Sequence, residues 1–217
     1  MKKYNFAIFD LDGTILDTLG DLRNSVNFAL SKNNLPERTT EEIRQFVGNG
    51  IRLLIERAVP ENTSDDVTDK CFDDFKVHYK DNSANLTKPY CGVVEMLNEL
   101  KNNGIKLAVV SNKADFAVQG LIKQYFPDLF DFSVGERDGI KRKPSPDSVF
   151  VAMKHLGADK ADTIYIGDSE VDIETANNSG VPCIAVTWGF RDKDVLKKLN
   201  PQYIVNEPKE IVDIILK

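Results

Sequence analysis

Hydrophobic and polar positions along this chain fall into two rhythms. Short, nearly continuous apolar runs at Phe6–Phe9, Leu107–Val110, Thr163–Ile166, Cys183–Val186 and Tyr203–Val205 read as strands covered on both faces. Between them, apolar residues recur three and four positions apart, as in Val94-Leu97-Leu100 and Val149-Phe150-Met153, the spacing of a helix that buries one face. Ile211-Val212-Ile215-Leu216 closes the chain with the same spacing. Strand and helix in alternation predict an α/β fold with a Rossmann-like parallel sheet core flanked by helices.

The alternation lapses from Leu16 to Asn82. Leu22-Val26-Ala29-Leu30, Ile51-Leu54-Ile55-Ala58 and Val67-Cys71-Phe72-Phe75-Tyr79 each carry helical spacing, and no strand-like run separates them. Thr39 and Glu42 have the spacing of a capping box that opens a further helix through Phe46. The expectation is an all-helical cap domain, residues 16–82, inserted into a catalytic core made of residues 1–15 and 83–217. Pro89-Tyr90-Cys91-Gly92 reads as the turn by which the chain returns to the core.

Composition narrows the partners. A formal charge of -6, with acids spread along the chain, argues against general affinity for nucleic acid or an anionic membrane surface. No stretch approaches the roughly 20 apolar residues of a membrane helix, and the apolar run after Met1-Lys2-Lys3 is too short for a signal-peptide core. Cys71, Cys91 and Cys183 are odd in number and widely spaced, which predicts buried thiols in a reducing cytoplasm and no disulfide framework. The expected partner is a small molecule, with the chain a monomer or weak homodimer.

In an open α/β sheet, ligands bind beyond the carboxyl ends of the strands. Asp10-Leu11-Asp12-Gly13-Thr14 follows the first strand, Ser111-Asn112-Lys113 the second, and Gly167-Asp168-Ser169 the third, with Asp172 one helical turn later. Lys141-Arg142-Lys143-Pro144 forms a basic loop between the last two. Carboxylates, a hydroxyl and a lysine at one edge suit phosphoryl transfer, which needs a nucleophile, a proton donor and cations facing the phosphoryl oxygens. Asp10 is placed to attack phosphorus, and Asp12 to protonate the leaving oxygen. Crowded carboxylates at Asp10 and Asp168 call for a hard cation, Mg²⁺ being the natural one beside phosphate. Lys143 would complement the charge, and Ser111, with Asn112 beside it, would hold phosphate oxygens.

Phe9-Asp10-Leu11-Asp12-Gly13-Thr14, Ser111-Asn112, Lys143-Pro144 and Gly167-Asp168-Ser169-x-x-Asp172 together resemble the four signature motifs of the haloacid-dehalogenase-like superfamily, in that family's order. The resemblance implies that Asp10 is nucleophile and metal ligand. It implies that Asp12 is the acid/base and lends the metal its main-chain carbonyl. It also implies that Ser111 and Lys143 bind phosphate, that Asp168 is the other metal carboxylate, and that Asp172 supports the metal from behind. The presence of Asp12 resembles the phosphatase branch. Phe46-Val47-Gly48-Asn49-Gly50, Pro89-Tyr90-x-Gly92-Val93 and Trp188-Gly189-Phe190-Arg191 are similar to bacterial phosphoglycolate phosphatases. That narrower likeness implies a cap loop at Gly48 and Gly50, with Arg52 behind it, that meets the carboxylate of 2-phosphoglycolate.

The core motifs leave open a sugar-phosphate mutase of the β-phosphoglucomutase kind or a pyrophosphatase of the same superfamily. A receiver-type phospho-accepting switch also pairs carboxylates with a hydroxyl and a lysine. Such switches are shorter, and their acceptor follows a later strand, where this chain has no Asp at the end of the Leu107 run.

Overall fold

Six parallel strands carry the core of the chain, for which a computed structural model describes residues 2–217. They are β1 (Phe6–Phe9), β4 (Lys106–Ala114), β5 (Phe132–Glu136), β6 (Thr163–Gly167), β7 (Cys183–Val186) and β8 (Tyr203–Val205), while β2 (Leu16–Asp17) and β3 (Lys88–Pro89) form a separate two-stranded sheet. The large sheet runs β5-β4-β1-β6-β7-β8. Phe6 to Phe9 pair with Lys106 to Val109 on one side and with Thr163 to Ile166 on the other. Numbered within this sheet alone, the order is third, second, first, fourth, fifth, sixth. Winding therefore reverses at β1, which opens a crevice beyond the carboxyl ends of β1 and β6.

Two residue sets cover this sheet. Ile8, Val110, Tyr165 and Ala185 pack with Val149, Ala152 and Met153 of α7 (Asp147–Leu156) and Ile173 and Ala176 of α8 (Glu170–Ser179). Elsewhere Leu97 and Leu100 of α5 (Val93–Asn102) and Ile211 and Ile215 of α10 (Pro208–Leu216) are also buried. Each Val, Leu, Ile or Met side chain among them contributes about 1.5–3 kcal/mol on leaving water. That is why the apolar runs are continuous where both faces are covered.

The chain divides into one unit of residues 1–16 and 89–217 and a second of residues 17–88. The second unit is built from α1 (Leu19–Lys32), α2 (Thr40–Phe46), α3 (Ile51–Ala58) and α4 (Asp65–Asn82). Leu22, Val26, Ala29 and Leu30 of α1 are buried together with Cys71, Phe75 and Tyr79 of α4. Thr39 and Glu42 form the reciprocal capping box at the start of α2.

Several features depart from the sequence pattern. The second boundary falls at Pro89 instead of residue 83, because the buried carboxylate of Asp21 accepts hydrogen bonds from the Leu86 amide at 3.0 Å and the Thr87 amide at 2.8 Å. Those bonds hold the residues after α4 to α1. The Leu16–Asn82 stretch contains one short strand, β2. Strand β5 carries no continuous apolar run, because Ser133, Gly135 and Glu136 dilute its pattern, as the partial burial of an edge strand allows. Cys71 and Cys183 are buried, but Cys91 is exposed in the turn before α5, and all three are free thiols.

Candidate active site

The site grows from the ends of β1, β4 and β6. The amide of Asp10 continues the ladder to the Ile166 carbonyl at 2.9 Å, which fixes Asp10 at the β1–β6 crevice. Beyond it the chain turns sharply at Gly13, whose φ of +85 suits glycine. A side chain there would also strike Asp168 and Phe190. Gly189 is under a similar demand, since a methyl group on it would collide with Asp168 and with the Gly13 carbonyl. Two glycines thus let two loops close around one carboxylate.

Asp168, 1% exposed, receives the Phe190 amide at 2.6 Å and the Thr14 hydroxyl at 3.3 Å. Asp172, on the first turn of α8, closes a capping box with Ser169, whose hydroxyl donates to it at 2.6 Å. The other oxygen of Asp172 takes the Tyr165 hydroxyl at 3.0 Å and the Lys143 ammonium at 2.8 Å. Lys143 also reaches Asp10 at 2.7 Å and Tyr165 at 3.1 Å. Its loop is pinned by Asn112, whose side-chain amide exchanges two hydrogen bonds with the Lys143 backbone, at 2.8 and 3.1 Å.

Strand β4 brings three consecutive polar residues inside. Ser111, Asn112 and Lys113 are all buried where the β4–β5 register shifts between Val110 and Ala114. The Ser111 hydroxyl accepts the Lys113 amide at 3.2 Å, and the Lys113 ammonium meets the two oxygens of Asp12 at 2.9 and 3.3 Å. Gly135 of β5 makes room, because a side chain there would overlap the Lys113 carbonyl.

Electrostatics set the limits of this arrangement. Asp10, Asp168 and Asp172 present oxygens within 4.8 Å of one another. Burial pushes the Asp10 carboxyl up to about 7, against the opposing pull of Lys143. Burial, with Asp172 and Asp10 as negative neighbours, pushes Asp168 well above the ordinary carboxylate range. Burial also works against charge on Asp172, but the Lys143 ammonium outweighs it and holds that carboxyl low. Lys143 is itself raised, because Asp10 and Asp172 overcome the cost of its burial. Among the described residues no lysine pairs with Asp168, and the nearby positive charge of Arg191 does not offset the cost of its burial, so its charge is unfavourable as the cluster stands. A divalent cation between Asp10 and Asp168 would reverse that cost, and oxygen donors suit a hard ion. The donor set therefore fits Mg²⁺.

The structure brings Asp10, Asp12, Ser111, Asn112, Lys143, Asp168 and Asp172 to one end of the sheet. Gly48, Gly50 and Arg52 lie in the second unit. Gly48 and Gly50 have φ of +115 and +86, and Arg57 holds the turn between them through the Phe46 carbonyl at 2.8 Å and the Asn49 side chain at 3.1 Å. Arg52 is paired with Glu56 at 2.6 Å and with Asp69. Its charge is thus already matched within its own unit.

Lys113, Tyr165 and Arg57 were not singled out by the sequence. A lysine three residues past an apolar strand run and a tyrosine inside one both signal a buried polar head that needs a partner. Arg57 gives no such signal, since helix arginines usually face solvent.

The chain is similar to known proteins over most of its length. The sequence profile described as haloacid dehalogenase-like hydrolase matches residues 7–186. The chain is 34% identical over 203 residues to a phosphoglycolate phosphatase of Mesorhizobium japonicum, spanning 92% of this chain and 89% of that one. It is 31% identical over 222 residues to the phosphoglycolate phosphatase of Mannheimia succiniciproducens, spanning 99% of each. A crystal structure of a provisionally assigned phosphoglycolate phosphatase from Lactobacillus delbrueckii superposes with a TM-score of 0.94 at 37% identity, covering 100% of this chain and 99% of that one.

Proposed function

Because the chain belongs to the haloacid dehalogenase-like hydrolase family, we propose that it hydrolyses a small phosphate monoester, foremost 2-phosphoglycolate, through an aspartyl-phosphate formed on Asp10. The observation that carries the reading is the placement of Asp10 at the β1–β6 crevice, 2.7 Å from the Lys143 ammonium and beside Asp168. The choice of substrate rests on the names of relatives about a third identical over nearly their whole length.

Asp10 attacks phosphorus and forms the acyl phosphate while the ester oxygen departs. Asp12, two residues on in the same turn, donates the proton that the leaving alkoxide needs, then takes one from the water that opens the intermediate. Lys143 faces the phosphoryl oxygens and Asp10 together, and Ser111 donates its hydroxyl to the phosphate. Asn112 keeps the Lys143 loop in register. Mg²⁺, held by Asp10 and Asp168 with the main-chain carbonyl of Asp12, would offset the negative charge that otherwise repels an anionic substrate from a carboxylate. Asp172 supports this set from behind by fixing Lys143 and Ser169.

A panel of phosphorylated metabolites, assayed for phosphate release with Mg²⁺ and with EDTA, tests the reading. The expected result is metal-dependent release with 2-phosphoglycolate ahead of hexose phosphates, nucleotides and pyrophosphate. Isomerisation of β-glucose 1-phosphate faster than any phosphate release would replace hydrolase by mutase. Undiminished turnover in EDTA would overturn the mechanism.

A further inference from the structure

Lys113 is a buried ammonium that the steps above do not use. Its side chain is 3% exposed, and its charge meets Asp12, whose own side chain is 21% exposed against 10% for Asp10 and 1% for Asp172. The Lys113–Asp12 pair therefore forms the most open edge of the carboxylate cluster. Holding an ammonium this deep is costly unless a strong anionic partner repays it.

We infer that Lys113 is the residue that recognises the carboxylate of the substrate, and so determines specificity; this rests on the phosphoglycolate reading. When Asp12 donates to the ester oxygen, that oxygen lies about 2.6–3.2 Å from the Asp12 carboxyl. In an ester that carries its carboxylate on the adjoining carbon, the carboxylate oxygens lie only about 3 Å from the ester oxygen. They fall within reach of the ammonium that already sits 2.9 Å from Asp12. An alkyl ester of equal size brings no anion to this point. A carboxylate several carbons further out is carried past it. Lys143, between Asp10 and Asp172, lies on the side of the cluster that serves the phosphoryl group.

The test compares kcat and KM for 2-phosphoglycolate and for ethyl phosphate, which has a methyl group in place of the carboxylate. Wild type should favour 2-phosphoglycolate, and Lys113→Met should lower that preference by about tenfold or more, mainly through KM. Lys113→Arg keeps the charge but changes its shape. It should retain more of the preference than Lys113→Met while raising KM for 2-phosphoglycolate alone. If Lys113→Met loses both substrates by the same factor, Lys113 only neutralises Asp12 and the inference falls. Should Lys113→Met fail to fold, the arginine variant decides, and an equal rise of both KM values overturns the inference. A wild-type preference near unity would instead overturn the phosphoglycolate reading, and the inference with it.

Discussion

Lys143 Nζ lies 2.7 Å from Asp10 Oδ1, with the lysine side chain 4% exposed and the aspartate side chain 10%. The same ammonium serves Asp172 at 2.8 Å. Removing it leaves two buried carboxylates facing each other. Lys143→Met should cost about 3–5 kcal/mol of stability, the usual penalty for stranding a buried charge. The deficit should be smaller at pH 5 than at pH 8, because a neutral Asp10 has less need of the lysine. Chemical denaturation at the two pH values reads both effects, and a pH-independent loss below about 1 kcal/mol would show the pair to be dispensable.

The raised pKa of Asp10 links stability to pH and metal. Its carboxyl moves from 3.8 to about 7 on folding, chiefly through burial. Between those values the folded metal-free protein holds more protons than the unfolded chain, so its stability falls as pH rises across that window. Asp168 shifts in the same direction. A cation that binds the ionised pair should therefore raise the melting temperature more at pH 8 than at pH 5, by the ordinary linkage of ligand to native state. Thermal denaturation with EDTA or excess Mg²⁺ checks this, and equal shifts at both pH values would count against metal binding at Asp10 and Asp168.

The two aspartates of the first loop should separate by leaving group. Asp10→Asn should lower turnover by about three orders of magnitude or more on every ester while the protein still folds. Asp12→Asn should still turn over p-nitrophenyl phosphate slowly, since its phenolate leaves without a proton, and fail on alkyl phosphates. Steady-state assays on both ester types decide the matter. Equal losses from Asp12→Asn would remove it as the proton donor.

Gly189 offers a steric test of Asp168. A single added methyl group there overlaps the Asp168 side chain and the Gly13 carbonyl, so one of them must shift. Gly189→Ala should raise the Mg²⁺ needed for half-maximal activity by about tenfold, with a smaller change in activity at saturating metal. An unchanged metal requirement would mean that Asp168 does not hold the ion.

Much of this was written locally. Four of the core strands begin at the residue where the apolar run begins, and Asp10 and Asp168 follow the ends of two of them, whereas Ser111 lies inside β4, which continues past its apolar run to Ala114. A strand covered on both faces must be apolar throughout, and the first polar residue marks where it emerges at the ligand-binding edge. That signal is short-range, so a sequence carries it in full.

Other features depend on partners far apart in the chain. Lys113 and Asp12 are 101 residues apart, and Asp168 receives the Phe190 amide from 22 residues away. Tyr165 reads simply as part of an apolar run until folding sets its hydroxyl against Lys143 and Asp172. Arg52 looks available for an anion until Asp69, 17 residues on, neutralises it. By itself, the sequence determined which residues reach the edge of the sheet, because covering both faces of a strand imposes a pattern on neighbouring positions. Which charge meets which was decided only by the tertiary structure, because the Coulomb term depends on distances and burial that packing alone creates.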